Sequence, residues 1–295
     1  MQRNIRVRQL LAAVGVASLV LATSVTAGAS SIKGVYSAMD AKLVPATYKS
    51  GTIQVATDAT YAPDESISSN GTMIGFDVDL MYAIATTLGV KVNENNVTFD
   101  DIIAGIKSGK YTIGNSSFTD TAAREKQVNF VDYFQAGEGV YVKKSSTATF
   151  TGFKSFCGQK VAVETGTTEQ TDATAASKSC PAGKKVDVLA FPTQTEANTA
   201  VTSGQATYGF LDSQIADYVV ATSKGLFKSV GSAVNVAPYG IATPKTSAGA
   251  GLAKAIRAAV KTLIANGTYK AILDKWGVEA GAIPSSKIVI DGATS

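Results

Sequence analysis

The sequence predicts an α/β fold. Short apolar strand-like runs alternate with helical runs whose apolar residues recur every three or four positions, and this βα pattern occurs twice along the chain. In both halves polar residues follow the C-terminal ends of strands, the edge at which open α/β sheets bind ligands. At 295 residues the chain is long enough for one large domain or two lobes, with 45% hydrophobic residues to supply a core.

Composition excludes several chemistries. There is no histidine, so Ser-His-Asp and Cys-His catalysis and every His metal site are ruled out. Two cysteines, Cys157 and Cys180, show no metal-ligand spacing. No cofactor or metal is expected, and no catalytic residue is assigned. The formal net charge is +4, but Arg3, Arg6 and Arg8 lie in a segment expected to be removed; without them 24 basic and 23 acidic residues remain. That balance gives no electrostatic case for nucleic acid.

Residues 1–29 read as a secretory signal peptide. Met1–Gln9 is short and basic, Leu10–Ala22 is continuously small or apolar, and Val25-Thr26-Ala27 and Ala27-Gly28-Ala29 are small-x-small cleavage candidates. The apolar run is short for a membrane span, and no later stretch is long and apolar enough to be one. No cysteine sits near the cleavage candidates, so no lipid anchor is expected. In an exported chain Cys157 and Cys180 are expected to form a structural disulfide.

Residues 30–50 form a lead-in, with a short helix over 40–48 interrupted or started by Pro45. Thr52–Thr57 alternates as a strand and delivers Asp58 and Tyr61 to the following loop. Asn70-Gly71 marks a hairpin tip. A helix opens at Gly75-Phe76-Asp77-Val78-Asp79-Leu80 and ends at Gly89, with Asp77 and Asp79 suited to its positive N-terminus. A strand over 90–97 and a helix over 99–108 follow.

The organising stretch is Asn115–Arg124, Asn-Ser-Ser-Phe-Thr-Asp-Thr-Ala-Ala-Arg. It follows an apolar run and opens a short helix that Thr119 or Asp120 can cap. Ser116, Ser117 and Thr119 supply hydroxyls and N–H groups, and Arg124 supplies a planar guanidinium that can grip a carboxylate with two hydrogen bonds. Together they could form a carboxylate receptor; they also fit a capped surface helix with a solvated Arg.

Beyond Arg124, residues 128–133 and 139–143 look extended, and Gly137 and Gly139 permit a chain crossing. A strand over 160–163 leads to Glu164-Thr165-Gly166-Thr167-Thr168-Glu169 and a helix, a second place where N–H groups and hydroxyls face a cleft. A strand over 206–211 delivers Asp212 ahead of another helix. Residues 227–242 are extended, with Pro238-Tyr239-Gly240 a second crossing, and helices over 248–266 and 269–276 follow. Residues 280–295 read as a loose tail.

These motifs, in this order, resemble the periplasmic solute-binding proteins of polar amino-acid ABC transporters, family 3, which include glutamine-, histidine- and lysine/arginine/ornithine-binding proteins. The resemblance rests on residues 55–63, 75–80, 116–124 and 166–168 and on the closing Asn266-Gly267-Thr268-Tyr269 and Trp276-Gly277. It implies the two-lobed periplasmic-binding-protein fold of type II, with two crossing hinge strands. Lobe 1 would comprise 51–138 and 236–279, and lobe 2 would comprise 139–235. It implies a monomer that captures a free L-amino acid outside the inner membrane, in the periplasm or at the cell surface, and delivers it to membrane permease subunits.

The resemblance also implies roles. Arg124, with Ser117 and Thr119, would hold the ligand α-carboxylate, Asp212 the α-ammonium, and Thr168 would add a contact from the second lobe. Asp58 would face the ligand side chain, with Tyr61 and Phe99 as aromatic walls. Asp58 and Glu169, with Glu138 and Glu164 nearby, would favour arginine, lysine or ornithine, and Ser116-Ser117 resembles the serine pair of the basic amino-acid binders. Glu169 departs from the Gln that such binders carry. Glutamine is the alternative ligand. An enzymatic alternative is a periplasmic arogenate or cyclohexadienyl dehydratase; Asp212 argues against it for prephenate, which lacks an amino group.

Overall fold

The structure is a computed structural model that describes residue 32 and residues 34–293. The expected signal peptide, 1–29, lies outside the described residues.

Two short helices, α1 (Ala38–Leu43) and α2 (Ala46–Lys49), form the lead-in, and Pro45 separates them. Strand β1 (Thr52–Thr57) is followed by a small three-stranded hairpin layer, β2 (Thr60–Tyr61), β3 (Glu65–Ile67) and β4 (Met73–Ile74), with Asn70-Gly71 at its tip. Helix α3 (Phe76–Leu88), β5 (Lys91–Asn96), α4 (Phe99–Lys107), β6 (Ile113–Gly114), α5 (Ala122–Glu125) and the long β7 (Val128–Lys143) complete the first run. Next come β8 (Lys160–Glu164), α6 (Thr168–Ser179), β9 (Asp187–Phe191), α7 (Gln194–Ser203), β10 (Tyr208–Asp212), α8 (Ser213–Thr222) and β11 (Phe227–Ser229). Strand β12 (Val234–Pro244) returns the chain to α9 (Ser247–Ala265) and α10 (Thr268–Trp276).

The main sheet runs β5-β1-β6-β12-β7-β10-β8-β9, with β11 also paired to β7. The β1–β5, β1–β6, β8–β9 and β8–β10 pairs are parallel. The two crossing strands are antiparallel to each other: β7 pairs with β12 from Val128↔Pro244 to Glu138↔Val234 and continues against β10 from Glu138↔Asp212 to Val142↔Tyr208. One strand therefore serves both halves. The extended runs expected at 128–133 and 139–143 are a single strand, because β12 and β10 supply hydrogen-bond partners on both sides of Gly137.

Each half has its own core. In the first, α3, α9 and α10 pack Phe76, Leu80, Ile256 and Leu263 against Val55, Val131 and Tyr133 of the sheet. In α9 the buried residues Leu252, Ile256, Ala259, Val260 and Leu263 fall on one stripe, and the Thr246 hydroxyl caps it by accepting from the Gly249 N–H. The second core joins Val140, Val142, Phe156, Val161 and Phe210. The Cys157–Cys180 disulfide closes a 23-residue separation there, tying the loop before β8 to the end of α6.

The tail over 280–293 is not loose. Ile283 and Ile288 are buried in the first core, Ile290 bridges Val131, and the Asp132 N–H donates to the Val289 carbonyl at 3.0 Å. Burying two isoleucines contributes roughly 1.5–3 kcal/mol each, enough to hold a segment that composition alone reads as unstructured.

Candidate ligand-binding site

The strands deliver the predicted residues to one place. Asp58 follows β1, Tyr61 ends β2, Phe99 opens α4, and Ser116, Ser117 and Thr119 follow β6. From the other half, Thr168 and Glu169 open α6 and Asp212 ends β10. Tyr61, Phe99, Ser117, Thr119, Arg124, Thr168, Glu169 and Asp212, together with Thr167, line a small cavity between the two sets of elements, with room for about 10 Å³. A wider groove opens beside it past Glu138, Asp172 and Asn235.

Asp58 and Ser116 stand behind this cavity rather than in it. The Asp58 carboxylate already accepts from the Thr60 N–H (3.0 Å), the Thr60 hydroxyl (2.7 Å) and the Phe99 N–H (3.1 Å). Ser116 Oγ accepts from the Asp58 N–H at 2.9 Å and donates to Glu65 at 2.9 Å. These two residues shape the wall and spend their polar atoms on it.

Arg124 is half-buried and held from both halves. Its guanidinium donates to the Thr119 carbonyl at 2.8 Å and to the Gly166 carbonyl at 2.9 Å, and its carbon lies 5.3 Å and 5.4 Å from the Phe99 and Phe118 ring centres. Two of its five N–H groups are thereby used, leaving the others for a ligand. Gly166 has φ +83°, and a Cβ there would lie 3.0 Å from that of Asp100, so the close approach of the α6 loop to α4 requires glycine. The cap of α5 differs from the sequence expectation: Thr121, not Thr119 or Asp120, accepts from the Arg124 N–H. Asp120 is buried and instead accepts from the Gly292 N–H. With only four residues, α5 positions Arg124 but adds little dipole.

The electrostatics are lopsided. Burial first, then the carboxyl groups of Glu164, Glu169, Asp212 and Asp58, push the Tyr61 phenol well above its ordinary value. Burial and Asp58 raise Glu164 to about 10. Burial raises Glu169 to about 7, although Arg124 and Thr168 pull it back. Burial and Glu169 also hold Asp212 well above the carboxylate range. Asp212 sits at the N-cap of α8 without making a side-chain cap bond. Both Glu164 oxygens and Oε1 of Glu169 have no hydrogen-bond partner among the described residues. Glu169 and Asp212 thus face the Arg124 guanidinium in the cavity, while Asp58 and Glu164 lie buried near Tyr61. The arrangement can accept several hydrogen bonds from a cationic ligand while offering one site for an anion.

Sequence reasoning missed a second tier. Asp64, Glu65 and Asp77 are fully buried behind Ser116 and Ser117. Ser117 Oγ donates to Asp64 at 2.9 Å, and Asp77 accepts from the Ser117 N–H (3.0 Å) and the Tyr133 hydroxyl (2.7 Å). Asp77 therefore pins the Ser117 turn, where φ is +49°, rather than serving only the N-terminus of α3. Asp79 pairs with Lys275 and accepts from Trp276 Nε1, joining α3 to α10. Gln214, also unforeseen, donates to Asp64 at 2.9 Å and to the Tyr239 hydroxyl at 2.7 Å. The available signals were the acids three and four residues past Tyr61 and Gln214 two residues past Asp212.

Among known proteins, the arginine-binding protein ArgT of Corynebacterium glutamicum is 30% identical over 241 residues, covering 81% of this chain and 78% of the relative. An ancestral arginine-binding protein solved with arginine superposes with a TM-score of 0.71 at 34% identity, covering 77% of this chain and 99% of that one. An ancestral amino-acid-binding protein that is a precursor of cyclohexadienyl dehydratase gives 0.69 at 33% identity, covering 77% and 95%. Two-lobed architecture, cleft position and these likenesses agree. The sequence profile of one family matches residues 53–279, and the chain belongs to it: the bacterial extracellular solute-binding proteins, family 3.

Proposed function

We propose that the protein is the extracytoplasmic binding component of an ABC importer and that it takes a basic L-amino acid, arginine foremost, without transforming it. Residues 51–138 and 236–279 act as one lobe and 139–235 as the other, and the ligand sits in the cavity between them. Arg124 holds the α-carboxylate, helped by Thr119, Ser117 and Thr168. Asp212 holds the α-ammonium. Glu169 and Glu164 receive the side-chain cation between Tyr61 and Phe99, and Asp58 supports that wall.

The observation that carries this reading is the excess of buried carboxyl groups, three of whose oxygens lack partners among the described residues. A guanidinium brings five donors in a planar fork and one positive charge. Burying one charge against its partner is productive only when the remaining donors and acceptors are also matched. Glutamine brings the donors without the charge. Among the described residues no helix is long and apolar enough to cross a membrane, and the relatives named above are binding proteins, which supports a partner role beside separate permease subunits.

Calorimetric titration of the mature protein with arginine, lysine, ornithine, histidine, glutamine and glutamate tests the reading. Arginine is expected to bind tightest; at 100 times its Kd it should add about 2.7 kcal/mol to unfolding. Tighter binding of glutamine overturns the cationic pocket but leaves amino-acid capture intact. Silence across the panel, with turnover of arogenate or prephenate, overturns the binding-protein assignment itself.

A further inference from the structure

Residues 280–293 lie beyond the segment matched by the family profile, which ends at 279. They nevertheless reach the stretch that carries Arg124. After Ile283 and Ile288 anchor in the first core, the tail runs antiparallel to the start of β7. The Asp132 N–H donates to the Val289 carbonyl, and the Asp291 carboxylate accepts from the Phe130 N–H at 2.8 Å and pairs with Lys245 at 3.0 Å. The next two amides leave β7. The Gly292 N–H donates to Oδ2 of the buried Asp120 at 3.0 Å, and the Ala293 N–H donates to Oε1 of Glu125 at 2.9 Å. Asp120 and Glu125 flank Arg124 on either side. A Cβ at position 292 would lie 2.2 Å from Oδ2 of Asp132, so any larger residue there would have to displace that carboxyl group.

We infer that residues 290–293 are a strap that positions Arg124: successive amides of the tail grip the acids before and after it and fix the one-turn helix from which its guanidinium reaches the ligand carboxylate. The inference rests on the reading of Arg124 as carboxylate anchor. A four-residue helix is too short to hold its own geometry in water, and within α5 only Thr121 caps it. The tail adds to the bonds that tie the preceding residues to β12, where the Gly240 N–H donates to the Phe118 carbonyl and the Asp120 N–H to the Pro238 carbonyl, and its bond to the Glu125 carboxylate is of the stronger, charge-assisted kind. Glu125 and Gly292 are thus positioning residues that touch no ligand themselves.

The test uses the mature chain, a deletion of 290–295, Glu125→Ala and Glu125→Gln. The deletion keeps Ile283 and Ile288, so the core stays closed. Binding of L-arginine should weaken roughly tenfold in the deletion and in Glu125→Ala, the effect of about one charge-assisted hydrogen bond. Binding of L-arginine methyl ester, which lacks the carboxylate charge, should change far less, and Glu125→Gln, which keeps an acceptor oxygen, should match the wild type. Unchanged arginine affinity, or equal weakening of arginine and its ester, overturns the strap. If the wild type binds neither, the proposed function falls separately, and amide exchange in the free protein decides the strap. Exchange over Ala122–Glu125 should then be roughly tenfold faster in the deletion, as expected for losing local protection; unchanged exchange overturns it.

Discussion

Binding of a basic amino acid should release protons and strengthen with rising pH. In the free protein Glu169 is raised to about 7 and Glu164 to about 10, both chiefly by burial. A cation placed between them favours their ionised forms, so their values fall in the complex and protons leave. Counting the Glu169 proton alone, each pH unit well below its free-protein value lowers the association constant about tenfold, so from pH 7 to pH 5 affinity should drop at least about 50-fold, or roughly 2.3 kcal/mol. The sign for folding is opposite. A carboxyl raised in the folded state keeps a proton that the unfolded chain has lost, so these groups make the free protein less stable as pH rises from their unfolded values through about 7 for Glu169 and about 10 for Glu164. The ligand-induced gain in Tm should therefore grow between pH 6 and pH 8. Calorimetry in two buffers of different ionisation enthalpy counts the released protons directly. Glu169→Gln should bind arginine more weakly at pH 8 and release about one proton fewer than the wild type below pH 7. A Kd that is flat between pH 5 and 8 with no proton exchange would refute the reasoning, and so would a wild-type profile in Glu169→Gln.

Three further outcomes are expected. Arg124→Ala and Asp212→Ala should each abolish measurable arginine binding in titration calorimetry while leaving the circular dichroism spectrum unchanged; tight binding by either variant removes the zwitterion clamp. Cys157→Ser with Cys180→Ser opens a 23-residue separation, and should lower stability by roughly 3 kcal/mol on the chain-entropy account. Arginine affinity should hold at temperatures where the variant stays folded, because the disulfide lies in the second core away from the cavity. Gln214→Leu removes the bonds to Asp64 and Tyr239 that join the two halves; stopped-flow binding should show faster ligand release by roughly tenfold with little change in association rate, and an unchanged release rate rejects this cross-cleft tie.

The fold was legible where local rules act alone. Apolar spacing at Leu252, Ile256 and Leu263 marks α9, and turn chemistry at Asn70-Gly71 marks the β3–β4 hairpin, because each is set within a few residues. Asp212 was legible as the polar end of an apolar strand. What escaped reading depends on distant partners. The break seen between residues 133 and 139 closes into one strand only because β12 and β10 return to pair with it. The tail is ordered by Val131 and Phe130, about 160 positions away in sequence. Asp58 sits on the expected loop, but its carboxylate is committed to Thr60 and Phe99. A loop position shows that an acid can reach a ligand; only coordinates show what it holds already.

Closure of the cleft should require the ligand. Across the cleft the two halves share the Arg124–Gly166, Gln194–Thr60 and Gln214–Asp64 hydrogen bonds, and Tyr61 packs among Leu189, Ala197 and Leu211 of the opposite half. Each such bond contributes about 1 kcal/mol net. Against them stand Asp58, Glu164, Glu169 and Asp212, brought together by the same closure with one guanidinium to answer them. Holding these acids protonated or mutually repelled costs several kcal/mol, which is on the scale of the bonds gained. The two sides nearly cancel, so a ligand that supplies a second cation and the missing donors decides the balance. The acids proposed to select the ligand would then also be the groups that keep the cleft from closing without it.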